Sequence, residues 1–130
     1  MKRFLAGVVC GWLALAMMQL GLTLRAQQQA SGAVVQAQVL VDNQKVTIRR
    51  WQLKPGERSP VHTHALDHIY VVVHGSDIRD HLADGTTHDD NQETGRVGFS
   101  AFSASPKTHW FENVGAVPYE MVSVDLKPAS

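Results

Sequence analysis

The chain has little of several things that would each point to a function. Of its 130 residues one is cysteine, so neither an internal disulfide nor a cysteine-rich zinc site can be built. There is no surplus of one charge: 12 Lys and Arg stand against 12 Asp and Glu. A nucleic-acid binder, which must neutralise phosphates, is thereby excluded. No stretch after Ala33 repeats apolar residues at helical spacing over three turns, so helix-rich folds are excluded as well. Disorder is not the reason, because 44% of the residues are hydrophobic and such a chain can bury a core. At this length one domain is expected. The abundance lies elsewhere, in seven histidines.

The N-terminus reads as a targeting segment. Met1-Lys2-Arg3 is basic, Phe4 to Leu24 carries no charge for 21 residues, and Arg25-Ala26-Gln27 is abruptly polar. This is the layout of a secretory signal peptide, with cleavage after Ala26. The apolar run is also about the ~20 residues that span a bilayer, so residues 1–26 are either a cleaved signal or an uncleaved anchor helix. Either way the rest of the chain is expected outside the cytoplasm, periplasmic or secreted, and it touches a membrane only if the leader stays. Cys10 sits within this segment, so the exported domain has no thiol for catalysis or ligation. Lys2, Arg3 and Arg25 account for three of the 12 basic residues, leaving nine against 12 acids. The domain is mildly acidic, at about −3 with neutral histidines.

Past the leader, residues 27–44 are expected to form a linker and an N-terminal strand, and residues 45–127 a β domain. Val34 to Val41 is an apolar run with alternation, suited to a strand exchanged between partners in a homodimer. Asp42-Asn43-Gln44 reads as a turn. A β-branched and aromatic stretch with Val46, Ile48, Trp51 and Leu53 ends at Pro55-Gly56, Ile69 to Val73 closes at Gly75, and Asp84-Gly85 signals a hairpin. Gly98 to Phe102 alternates, as does Tyr119 to Leu126 before Pro128. Short strands punctuated by turns indicate a sandwich or small barrel.

Three histidines fall within seven residues, in His62-Thr63-His64-Ala65-Leu66-Asp67-His68. In a strand, side chains two apart project to one face, so His62 and His64 point together, and His68 has the same parity. Imidazoles converging on one point suit a borderline transition metal.

At these residues the sequence resembles the cupins. Their first motif is matched by Gly56, five residues, His62, Thr63, His64, three residues, His68, six residues and Gly75. His68 stands where the family usually has Glu. The second is matched by Gly98, five residues, Ala104, Ser105, Pro106, two residues, His109, three residues and Asn113. Ala104 replaces the usual Pro and Pro106 the usual Gly. The span between motifs, Gly75 to Gly98, is short, as in small single-domain bacterial cupins. The resemblance runs from about Val46 to Leu126. It implies an all-β double-stranded β-helix, or jelly-roll β-barrel, preceded here by the signal or anchor helix. It also implies a divalent transition metal (Mn, Fe, Cu, Ni or Zn) held by His62, His64, His68 and His109, a four-histidine variant of the site.

Replacing Glu by a neutral histidine leaves the ion with a local charge of about +2 rather than about +1. That favours an anionic or enolate-like ligand, and nitrogen donors favour Cu, Ni and Zn over Mn and Fe. A six-coordinate ion keeps positions open for a substrate, whereas zinc in a closed tetrahedron is inert. Of the other histidines, His74 shares the parity of His68 and faces the cup unless a bulge intervenes. His81 and His88 lie in an acidic stretch read as a solvated hairpin and loop, with a secondary metal site at His88-Asp89-Asp90 as the sharper reading. Trp51, Tyr70, Phe99, Phe102, Phe111 and Tyr119 are expected to fill the barrel or make dimer contacts, and Trp110 to point away from His109. Tyr70 and Glu57 are the candidate acid–base groups. Two functions stay open: a metal-dependent dioxygenase, isomerase or lyase acting on a small molecule, or a non-catalytic module binding metal or a small ligand.

Overall fold

The computed structural model describes residues 32–129. The leader, the targeting helix expected within it and the first part of the linker lie outside the described residues. Nine strands are present among the described residues: β1 (Gln38–Asp42), β2 (Val46–Leu53), β3 (His62–His64), β4 (Asp67–His74), β5 (Ser76–Leu82), β6 (Thr87–Gln92), β7 (Val97–Ser100), β8 (Lys107–Asn113) and β9 (Tyr119–Leu126). They form a five-stranded sheet in the order β1-β2-β9-β4-β7 and a four-stranded sheet in the order β3-β8-β5-β6, with every pairing antiparallel. β1-β2 and β5-β6 are hairpins of consecutive strands, while the other neighbours are distant in sequence, as a jelly roll requires.

The alternation of β9 is the clearest guide to inside and outside. Tyr119, Met121, Ser123 and Asp125 are buried, and the residues between them are half-buried. The register places Trp51 and Val72 on either side of Met121, and Thr47 and His68 on either side of Asp125. Inward side chains of the five-stranded sheet therefore form rows that run from aromatic and aliphatic at one end to polar at the other. Trp51, Leu53, Val72, Ile78, Phe111, Tyr119 and Met121 make the core.

Two buried polar groups tie the loops to this core. Asn113, fully buried, donates from Nδ2 to the carbonyls of Leu53 (3.0 Å) and Val117 (2.8 Å), and its Oδ1 accepts from the Ser76 hydroxyl and the Gly115 amide. The Ser59 hydroxyl accepts the Phe111 amide at 3.0 Å. With all its hydrogen bonds made, such a residue fixes a loop without a desolvation penalty. The Asp84-Gly85 hairpin forms as its sequence predicts, with Gly85 at φ 87° and Asp84 accepting from the Thr86 amide and hydroxyl. Gly98 is needed for a different reason: the Tyr70 ring lies against it, in the space any Cβ would fill.

Three expectations change. The N-terminal strand is shorter than Val34 to Val41 and begins at Gln38, while Val34 makes an isolated bridge to Arg58. The acidic stretch is a hairpin, as read, but its second half is the largely exposed strand β6 rather than a loop, and inward residues of β5 and β6 line a cavity. β6, Thr-His-Asp-Asp-Asn-Gln, has no apolar residue because it is an edge strand facing that cavity rather than the core. His74 does not reach the cup: the pairing of β4 with β9 shifts between Val72 and His74, so His74 opposes the outward Glu120 and is exposed.

Candidate metal centre

His62, His64, His68 and His109 line one cavity of about 270 Å³ between the sheets. Register explains the meeting. In the four-stranded sheet His62 lies opposite His109 and His64 opposite Lys107. His68 enters from the facing sheet, at the start of β4. The walls are largely aromatic: Trp51 stacks on His62 with centroids 5.5 Å apart, and Phe102 stacks on His64 at 5.0 Å.

Hydrogen bonds fix which ring nitrogen faces the centre. His62 donates from Nδ1 to the Pro60 carbonyl at 2.9 Å. His109 donates from Nδ1 to Asp80, whose other carboxylate oxygen accepts from Lys107 Nζ at 2.5 Å. Burial alone would raise the Asp80 pKa, but the bonds from His109 and Lys107 outweigh it and hold the group at about 2. Its carboxylate is therefore a pure acceptor. With Nδ1 protonated, Nε2 of His62 and of His109 are bare lone pairs. They approach His64 Nε2 to 3.1 and 3.0 Å. His64 can supply at most one hydrogen between the three nitrogens, so at least one lone pair lacks a donor. A cation resolves that conflict, and two nitrogens bound at about 2.1 Å to one ion at right angles lie about 3.0 Å apart. The donor set thus fits a divalent transition metal. Burial, followed by the neighbouring His68, His62 and His109, pushes the His64 pKa down to about 3, and burial also lowers that of His62. Neutral imidazole is the form that ligates.

His68 stands slightly apart from the other three. The ligating atoms of His62, His64 and His109 lie within 4.8 Å of one another, while His68 forms a second such set with His64 and Asp125. Its Nδ1 donates to Asp125 Oδ1 at 2.9 Å, and Arg49 donates to the other oxygen of that carboxylate. Burial raises the Asp125 pKa, but the bonds from His68 and Arg49 lower it further than burial raises it.

Asp80, Asp125, Arg49 and Lys107 were not singled out from sequence. Each has the parity of a residue recognised as inward, Asp125 with Tyr119 and Met121, Lys107 with His109. An acid or base on a strand's buried face is the signal that could have found them. Tyr70 lines the cavity. Glu57 does not; its carboxylate accepts the Lys54 amide at 2.7 Å in the turn after β2. His88 and Asp90 line the cavity, but Asp89 points outward to Arg79, and no trio at ligand spacing among the described residues includes His88. Trp110 turns away from the cavity and stacks on His81, centroids 3.5 Å apart.

No family model matches the sequence, and no curated protein matches it significantly. Solved structures do match. A cupin domain from Bordetella pertussis Tohama I superposes with a TM-score of 0.65 at 18% identity, covering 75% of this chain and 96% of its own. An RmlC-like cupin family protein with a double-stranded β-helix fold, from Methanocaldococcus jannaschii, gives 0.56 at 20% identity over 70% and 78%.

The chain has the cupin fold.

A sugar phosphate isomerase of the cupin superfamily from Silicibacter pomeroyi is similar at a TM-score of 0.51 and 18% identity, over 71% of this chain and 59% of its own. The cupin barrel of the present chain thus carries its histidine cluster between the two sheets, with the apolar core beneath.

Proposed function

We propose that the protein binds a divalent transition metal through His62, His64, His68 and His109 and offers it to a small molecule entering the barrel. The observation that carries this reading is the approach of three imidazole Nε2 atoms to 3.0–3.1 Å with too few hydrogens between them. When bound, the ion supplies Lewis acidity and lowers the pKa of a ligated water or substrate hydroxyl. The chain's own residues do the rest. Trp51, Phe102 and Phe111 exclude water and give a flat apolar body surfaces to stack on. The Tyr70 hydroxyl is the candidate proton donor in the cavity. Lys107 is the one lysine or arginine among the lining residues, and Asp80 already pairs with it. Beyond the metal itself, a phosphorylated substrate would find no unpaired cationic side chain among the described lining residues. We favour a small enol, phenol or similar oxygen-donor compound, handled by a metal-dependent dioxygenase, isomerase or lyase.

The decisive experiment is metal analysis of protein purified from its native compartment, followed by anaerobic titration and by oxygen-uptake and isomerisation assays with enols and catechols. Stoichiometric metal, lost in His64→Ala and His109→Ala, is the expected result; metal content unchanged in both variants would remove the assignment. The basic–apolar–polar start of the chain supports export, and we place the domain outside the cytoplasm, to be checked by fractionation of cells expressing the full chain. Val39, Leu40 and Val41 on the edge strand β1 are exposed, which supports a homodimer; an unchanged dimer after deletion of residues 33–41 would argue against exchange through that strand.

A further inference from the structure

The position where cupins usually carry a Glu ligand holds His68, yet a carboxylate is present one hydrogen bond further out. Asp125 sits across from His68 in the register of β4 and β9, accepts its Nδ1–H at 2.9 Å and is held in turn by Arg49 from β2. The facing sheet repeats the arrangement. Asp80 on β5 accepts the Nδ1–H of His109 and is held by Lys107, two residues before that histidine on β8. Each sheet therefore sends in one chain of cation, carboxylate and imidazole, ending at the same cavity. Both carboxylates are at least half-buried and directed inward from strands, not from loops.

We propose that Asp125 and Asp80 are positioning residues for the metal: they fix His68 and His109 as the tautomer with Nε2 bare, aim the rings and raise the donor strength of the imidazoles. They also return to the site, at one remove, the negative charge that a histidine in place of Glu takes away. Arg49 and Lys107 orient the carboxylates and temper that charge. Carboxylates behind ligating histidines act in this way in metal sites generally, and removing one costs about 10–100-fold in affinity. This inference rests on the metal reading above, and its test separates the two.

The full-length protein, wild type and variant, is titrated with Cu²⁺ against a competing chelator. Asp125→Ala and Asp80→Ala are each expected to bind one Cu²⁺ about 10–100-fold more weakly than wild type. Asp125→Asn and Asp80→Asn, which keep an acceptor oxygen without the charge, should fall between and remain folded if the alanine variants do not. The pulsed-EPR modulation from the remote imidazole nitrogen reports the Nδ1 hydrogen bond directly and is expected to change in the Asn variants, which a purely structural role would not produce. Wild-type affinity and an unaltered remote-nitrogen signal in both Asn variants would overturn the proposal while leaving the metal site standing. Loss of a directly bound oxygen ligand in Asp125→Asn would overturn it for Asp125, by making that residue a ligand. If wild type takes up no Cu²⁺, both readings fail together.

Discussion

The two ends of the barrel are built from the same strands, yet their inward residues obey different rules. On β9, Tyr119 and Met121 lie in the core, Ser123 is buried beyond them and Asp125 bonds to His68. On β8 the order is reversed along the chain, with Lys107 and His109 at the site and Phe111 and Asn113 below. β2 passes from Thr47 and Arg49 to Trp51 and Leu53, and β4 from His68 through Tyr70 to Val72. One parity rule selects all these side chains, but what keeps them in place changes halfway. In the lower half it is contact area, apart from Asn113, which its own hydrogen bonds hold; in the upper half it is hydrogen bonds to half-buried charges. Stability and chemistry should therefore be separable by substitutions a few residues apart on one strand.

The largest expected effects break the comparison at single strands. His109→Ala should abolish measurable metal binding at concentrations that saturate wild type, a loss beyond the ~10–100-fold for a supporting carboxylate. Two residues along β8, Phe111→Ala should leave the histidines their ability to bind but cost about 3–5 kcal/mol of stability. Chelator-competition titration and urea melts on both proteins check the pair. If Phe111→Ala lost metal as severely as His109→Ala while still folded, the two halves would not be independent. On the opposite sheet Leu53→Ala should cost about 2–5 kcal/mol by the same melts, with metal affinity within a few-fold of wild type.

A smaller effect separates the halves by pH. In the metal-free protein His64 has its pKa pushed down to about 3 by burial and by the facing His68, His62 and His109, with Asp125 opposing, and His62 is lowered too. Unfolded histidine titrates near 6.5. Between about pH 6.5 and 3 the unfolded chain therefore binds more protons than the folded one, and stability falls as the pH is lowered. The lowered pKa values of Asp80 and Asp125 act in the same direction, but only below about pH 4. The apo-protein should show a Tm that is level above about pH 7 and declines from 6.5 downward, and His64→Gln should flatten the decline. A Tm independent of pH from 7 to 4.5 would contradict the burial assigned to His64.

The same contrast explains what could be read in the sequence. The strand alternation, the Asp84-Gly85 turn and the spacing of His62, His64 and His68 are local patterns, and they led to a sandwich or small barrel and to a histidine cluster; His109, 45 residues beyond His64, was reached only through the resemblance to the second cupin motif. The supporting groups were hidden because they depend on which face of a strand is inward. In Tyr119 to Leu126 the outward set, Glu120, Val122, Val124 and Leu126, is no less apolar than the inward Tyr119, Met121, Ser123 and Asp125. Only the pairing with β2 and β4 decides between them. β6 was concealed by its lack of any apolar residue, and the turning-away of His74 by a bulge that no residue type announces.

The finest distinction concerns Tyr70 and Glu57, equal candidates as acid–base groups until the fold separates them. Tyr70 lines the cavity, its ring 6.2 Å from that of His68 and seated against Gly98. Glu57 caps a turn on the surface side of β2 through one bond to the Lys54 amide. Glu57→Ala should change stability by no more than about 1 kcal/mol, the worth of one such hydrogen bond, and leave metal affinity untouched. Tyr70→Phe should be equally silent in both measurements, because the ring keeps its seat and the hydroxyl bears on no ligand in these contacts. A difference between the two can then arise only in turnover of a bound small molecule. Loss of turnover in Tyr70→Phe alone is expected, and equal turnover in both variants would remove Tyr70 as the proton donor.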